Sequence, residues 1–251
     1  MSRTLLPIPA VTVTGGQCPL PPVEGPGIAV AQGTVAQAVD GWRKQGAHVV
    51  MLIDGDAHAG EGSNAAIFKD VLHHGHSVKF VVAGGINDQA TLDEALAMGP
   101  SRIVVDVATS DRDWLYGVFA QHGQHIVAGL HTHGTDVIDP TGNPVGNVYD
   151  IALELQDHNC PRYLVVETTR RGHWHHNDKN VLAGVVESVH PVWGQGGINR
   201  LSDLHALGDL APRLEAVVMD EPLTSGRFTF DEAISATQPR FDPYEWAPPT
   251  P

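Results

Sequence analysis

The segment Gly129-Leu130-His131-Thr132-His133-Gly134 sets two imidazoles two residues apart at the end of an apolar run. On an extended strand, residues i and i+2 share a face, so His131 and His133 can look into the same space. Other ligand-type side chains close other apolar runs: Asp56 and His58 just past Val49–Asp54, Asp106 after Ile103, Glu167 after Tyr163, and Asp220 after Ala216. Two chemistries suit this set. In the first, His131 transfers a proton near neutral pH, with Glu167 and Asp56 as carboxylate partners. In the second, His131, His133, Asp106 and Asp220 hold a divalent Zn, Mn or Fe ion whose open coordination position activates water. No H-E-x-x-H spacing is present, and histidines in polar loops also serve as ordinary hydrogen-bonding groups. His173, His175 and His176 belong to such a loop, whereas His73, His74 and His76 stand near the end of a helical pattern, where a cation suits the helix dipole.

These side chains need a scaffold that collects strand ends. Apolar, β-branched runs occur at Leu5–Val13, Val49–Asp54, Val78–Val82, Ile103–Val107, Ile126–Leu130, Tyr163–Glu167, Pro191–Trp193 and Ala216–Met219. They read as strands buried on both faces. Helical patterns alternate with them: Val35–Lys44, Asn64–His74, Ala90–Met98, Asp113–His122, Val148–Asp157, Asn180–Val186, Ser202–Leu207 and Asp231–Ala236. Eight strands alternating with eight helices predict an α/β fold, a single (β/α)₈ TIM barrel over residues 1–237. A doubly wound open sheet needs no such regular count. Gly84-Gly85-Ile86-Asn87 recurs as Gly196-Gly197-Ile198-Asn199, 112 residues later. Asp54 and Glu167, Asn64 and Asn177, and Asp106 and Asp220 match at similar offsets, which predicts two half-barrels related by duplication. Residues 238–251, rich in Pro and carrying Phe241, Tyr244 and Trp246, read as a tail that straps the barrel or hangs loose, with a partner-binding segment as the alternative.

The chain has 251 residues, 42% hydrophobic and 18% charged, enough for one large core and too apolar for a disordered chain. Fifteen Lys and Arg stand against 29 Asp and Glu, a formal charge of −14 that argues against nucleic acid and anionic membranes as partners. No apolar run reaches the ~20 residues a membrane span requires, and the first residues lack the build of a signal peptide. Cys18 and Cys160 form no C-x-x-C pair, so a reducing cytoplasm is the expected setting.

The ordered motifs are specific. Pro9-Ala10-Val11, Leu52-Ile53-Asp54-Gly55-Asp56-Ala57 with Gly60-Glu61-Gly62-Ser63-Asn64, Ala83-Gly84-Gly85-Ile86, Arg162-Tyr163-Leu164-Val165-Val166, Gly196-Gly197-Ile198 with Asp203-Leu204, and Phe228-Thr229 with Glu232-Ala233 follow one another along the chain. In these the sequence resembles the HisA/HisF family of phosphoribosyl barrels, most closely the actinobacterial isomerases shared between histidine and tryptophan synthesis. The resemblance implies an Amadori rearrangement of a phosphoribosylamine, with carboxylates at the ends of strands one and five as acid and base. It also implies two phosphates held by Gly-rich strand ends, here Gly84, Gly85, Gly196 and Gly197 with Thr169 and Arg171 as substrate-binding residues. The glycines have a second explanation, as tight turns.

Against that pattern several positions differ. Thr12 stands where the resemblance implies the strand-one Asp, and His131 stands at the strand-five Asp. The Arg implied after strand one is missing from Gln17–Pro22. Asp106-Val107 replaces a Gly-Thr and Asp220-Glu221 a Gly-Lys at the phosphate positions, where a carboxylate repels the ligand. Arg171 reverses the charge of an Asp, and Arg170 with Arg171 can bind an anion or pair with the acidic surface. The expectation is a diverged homologue without ordinary isomerase activity, acting as a repurposed enzyme on a small molecule at the C-terminal barrel mouth, with or without a metal. Two alternatives stay open: a pseudoenzyme barrel that binds a protein partner, and an isomerase of histidine biosynthesis with an atypical site.

Overall fold

The computed structural model describes residues 5–22, 30–74, 77–168 and 176–238, with the backbone alone for 176–179. Eight parallel strands close on themselves: β1 (Leu6–Val13), β2 (Val49–Asp54), β3 (Lys79–Ala83), β4 (Arg102–Asp106), β5 (Ile126–His133), β6 (Tyr163–Glu167), β7 (Val192–Gln195) and β8 (Leu214–Met219). Each pairs with its sequence neighbours, and β1 closes the ring against β8, with Ile8 opposite Val218. A major helix follows every strand: α1 (Val35–Lys44), α2 (Ala65–His73), α3 (Gln89–Met98), α4 (Arg112–His122), α5 (Val148–Asp157), α6 (His176–Ser188), α7 (Leu201–Gly208) and α8 (Phe230–Ala236). This is the (β/α)₈ barrel that the alternating pattern predicts.

The period of two along each strand sorts the apolar residues into two cores. Ile8, Ala10, Met51, Val81, Val104, Val127, Leu164, Trp193, Ala216 and Val218 fill the barrel interior. Their neighbours, among them Val11, Leu52, Val82, Val105, Val165 and Val217, face the helices. Polar side chains start the helices: Thr34 and Gln37 form a capping box on α1, and Thr229 and Glu232 form another on α8. Trp42 of α1 meets Phe230 of α8 edge to face, 6.0 Å between ring centroids, so the first and last helices join the ends of the chain. At the N-terminal end of the barrel, Arg162 Nε donates to Glu215 Oε2 at 2.6 Å, and Trp193 Nε1 donates to the same oxygen at 2.8 Å.

Three features depart from the sequence reading. Strand β7 begins at Val192 and runs to Gln195, and α6 starts at His176 and not at Asn180. Short helices at Gly55–Ala59 and Glu221–Thr224 follow β2 and β8 directly. Asp54 starts the first by accepting from Ala57 N at 3.0 Å, and Pro222 preorganises the second. After β5 a hairpin, Asp136–Ile138 with Pro144–Asn147, extends the sheet over the barrel mouth. Its turn is held by Asp139 Oδ1, which accepts from Thr141 N and Asn143 N, both at 2.9 Å.

The Gly-Gly-Ile repeat has a structural counterpart. Gly84 adopts φ +103°, and a Cβ there would lie 2.3 Å from the carbonyl oxygen of Asp54. Gly196 adopts φ +93°, and a Cβ there would lie 2.5 Å from the carbonyl oxygen of Glu167. The same backbone approach, strand three against two and strand seven against six, therefore demands glycine at both positions.

Candidate functional site

The alternation that fills the barrel also aims its last residues into the C-terminal mouth. Val104 lines the interior, so Asp106, two residues on, shares that face. Val127 likewise sets the register of His131 on β5. His58 arrives differently, on the short helix after β2, which Gly60 ends in the left-handed conformation at φ 71°. These three side chains converge. One ligand atom from each of His58, Asp106 and His131 lies within 4.8 Å of the others. His58 Nδ1 is 4.0 Å from Asp106 Oδ2, and the two imidazoles stack at 5.1 Å between centroids and 23° between planes. Burial lowers the pKa of His131; Asp106 opposes that shift and His58 adds to it.

A second polar contact spans β1 and β8. Thr12 Oγ1 donates to Asp220 Oδ2 at 2.6 Å. Burial raises the pKa of Asp220, the Thr12 hydrogen bond works against the rise, and Glu221 reinforces it. Burial, with Asp220 nearby, also pushes the Cys18 thiol up to about 11. Asp220 and Glu221 line a cavity of about 410 Å³ together with Glu167, Thr168, Gln195 and Gly196.

The geometry changes the expected site. Asp106 and His131 meet, but their third companion is His58, not His133 or Asp220. His133 is exposed and paired opposite Asp136 in the hairpin, above the mouth. Asp220 is occupied by Thr12 on the β8–β1 side. Asp56 does not join His131 either. Its Oδ2 accepts from Gly15 N at 2.8 Å and from Asn64 Nδ2 at 3.0 Å, tying the loop after β1 to the loop after β2. Asn64 in turn donates to Asp54 Oδ1 at 2.7 Å, so the Asp54-Gly55-Asp56 segment works as a brace. Glu167 follows the outward register of Tyr163 and Val165, while Leu164 and Val166 face the barrel axis. It borders the cavity without entering the group around His131.

Gly84 and Gly85 border a separate, mostly apolar cavity of about 190 Å³, and Gly196 and Gly197 line the larger one beside three carboxylates. Thr169, Arg170, Arg171, His173 and His175 lie outside the described residues, as do the side chain of His176 and the tail from residue 239. His58 is a ligand type visible in the sequence, but its membership of the site is not. The residue is separated from Asp106 by 48 positions and reaches it only because the short helix folds over the strand ends.

A closed parallel barrel with its polar groups gathered at the C-terminal ends of the strands defines a TIM-barrel protein of the site-bearing kind. The chain belongs to the Histidine biosynthesis protein family, whose model matches residues 8–229. It is 31% identical over 231 residues to a phosphoribosyl imidazole-4-carboxamide isomerase of Paenarthrobacter aurescens, covering 90% of this chain and 93% of the relative. A protein of the same name from Salinispora tropica is 33% identical over 239 residues, covering 93% and 98%. Phosphoribosyl isomerase A of Streptomyces coelicolor is 31% identical over 234 residues, covering 92% and 97%. Among the described residues, no helix is long and apolar enough to cross a membrane.

Proposed function

We propose that this chain is an enzyme acting on a small molecule at the barrel mouth, and that it no longer carries out the isomerisation for which its relatives are named. One observation carries the reading: the strand-one position is Thr12, bonded to Asp220, and the strand-five position is His131, grouped with His58 and Asp106. The isomerisation needs an acid and a base on opposite sides of the sugar. A threonine hydroxyl does not serve as an acid or base near neutrality, and here its proton is committed to a hydrogen bond with the half-buried Asp220. Asp106 and Asp220 also stand at the strand ends where the family resemblance implies phosphate, and each repels a dianion by several kcal/mol at an effective dielectric of about 20. The mouth instead offers two imidazoles and a carboxylate to a ligand that is neutral, cationic or bridged by a cation.

The similarity to named isomerases over most of the chain favours a second reading, that the ancestral reaction persists on an altered site. An assay separates the two. The tag-free protein is incubated with the bis-phosphorylated ribosylamine substrate of the isomerases, in buffer containing chelator, and product is followed by absorbance. The expected turnover is at least about 10⁴-fold below that of a working relative, the combined effect of losing an acid and a base. Turnover within tenfold of the relative overturns the proposal.

A further inference from the structure

We infer that His58, Asp106 and His131 form a binding site for one divalent transition-metal ion, with coordination positions left open toward the barrel mouth. The inference rests on the reading above, that chemistry at the mouth centres on this group. Three observations carry it. The first is convergence: one ligand atom from each side chain lies within 4.8 Å of the others. Ligand atoms about 2.0–2.2 Å from a tetrahedral ion sit ~3.3 Å apart, so closure requires each pair to approach by less than about 1.5 Å. His58 can supply that movement, since its side chain is 37% exposed on a five-residue helix with no buried residues.

The second observation is the state of the donors. Among the described residues, neither ring nitrogen of the partly buried His131 takes part in a hydrogen bond. Asp106 is 8% exposed, and among the described residues its Oδ1 receives only a long bond from Ala108 N at 3.3 Å. Its Oδ2 has His58 Nδ1 at 4.0 Å, beyond hydrogen-bond range. A mostly buried carboxylate with an oxygen facing two imidazoles is well placed to take a cation. The arrangement is therefore not a His–Asp hydrogen-bonded dyad, whose nitrogen and oxygen would lie within about 3.2 Å.

The third is the chemistry of the set. Two imidazoles and one carboxylate match the donor preferences of Zn²⁺, Fe²⁺ and Mn²⁺, and lack the all-oxygen shell that Ca²⁺ and Mg²⁺ favour. Three protein ligands leave room for water or a substrate atom on the ion. Asp106 at the end of β4 and His131 on β5 are placed by neighbouring barrel strands, and the short helix after β2 brings His58 to them. The overall charge of −14 favours cations over anions around the molecule as a whole.

The test uses tag-free, full-length protein stripped with chelator. Zn²⁺, Mn²⁺ and, under anaerobic conditions, Fe²⁺ are added singly. Binding is read by titration calorimetry, and retained metal by mass spectrometry after dialysis. We expect one equivalent per chain for at least one ion. His58→Ala and Asp106→Asn should weaken that binding by at least about 100-fold, since removing a direct ligand costs no less than removing an outer-shell partner. His133→Ala should leave it within about twofold. Both ligand variants are checked by circular dichroism, and His58→Ala removes a side chain that is 37% exposed on a helix none of whose own residues is buried, so it is the variant expected to keep the fold. Absence of any retained ion overturns the inference; so does equal retention by wild type, His58→Ala and His131→Ala, which assigns the bound metal to exposed histidines. The isomerase assay contains chelator, so its outcome is independent: no metal and no isomerisation removes the metal site alone, whereas isomerisation removes the functional reading.

Discussion

At the residue scale, the mouth holds side chains that fold badly for their surroundings. Asp220 is the clearest. Burial raises its pKa even though Thr12 donates a hydrogen bond to it. The folded protein therefore holds the Asp220 proton more tightly than the unfolded chain does. Its contribution to stability is complete below the unfolded pKa and is lost as pH rises through the raised folded value. Asp220→Asn, which keeps an acceptor for Thr12, should raise the melting temperature at pH 7 by about 2–4 °C. The gain should shrink at pH 4, towards the range where the raised pKa no longer costs stability. Scanning calorimetry at the two pH values checks the sign.

At the element scale, the βα turns explain why some motifs admit only one residue. Gly196→Ala places a Cβ 2.5 Å from the Glu167 carbonyl at φ +93° and has nowhere to move, because the obstacle is the backbone of the adjacent strand. It should cost at least about 2–3 kcal/mol in urea unfolding. Gly99→Ala, at the C-cap of α3 with φ +75° and nothing within 4 Å, should cost only about 1 kcal/mol. The contrast tests whether close approach, and not positive φ alone, keeps glycine in the repeat. Strands and major helices were legible because their apolar periods, two and 3.6, are written in consecutive residues. The hairpin after β5 was not: Asp136–Ile138 and Pro144–Asn147 are short, largely exposed and made by turn polar groups, so they carry no apolar alternation.

At the scale of the whole molecule, closing the ring creates contacts between parts of the chain that share no local signal. The clearest lies below the interior core, where Arg162, buried at 5% exposure, depends on Glu215, 53 residues away on β8. Glu215→Ala leaves that guanidinium beside Trp193 with only the Gln124 side chain, at 3.3 Å, as a hydrogen-bond partner among the described residues. It should cost about 2–3 kcal/mol in denaturant unfolding, less than a fully buried pair because Glu215 is one-third exposed. Barrel closure likewise decides the site. The sequence by itself determined the barrel, the family resemblance, and the residue types at the strand ends, because burial periodicity and motif order are properties of neighbouring residues. It also marked Thr12 and His131 as departures from the pattern its relatives imply. Which of the available carboxylates and histidines meet was decided only by the tertiary structure. Asp56 and Glu167 have the right chemistry, yet one braces two loops and the other follows the outward register. His58 takes the place expected for His133 because a short helix capped by Asp54 carries it over the end of β4. A contact across the mouth depends on strand register and on the path of each loop, and those are set by the packing of the entire ring.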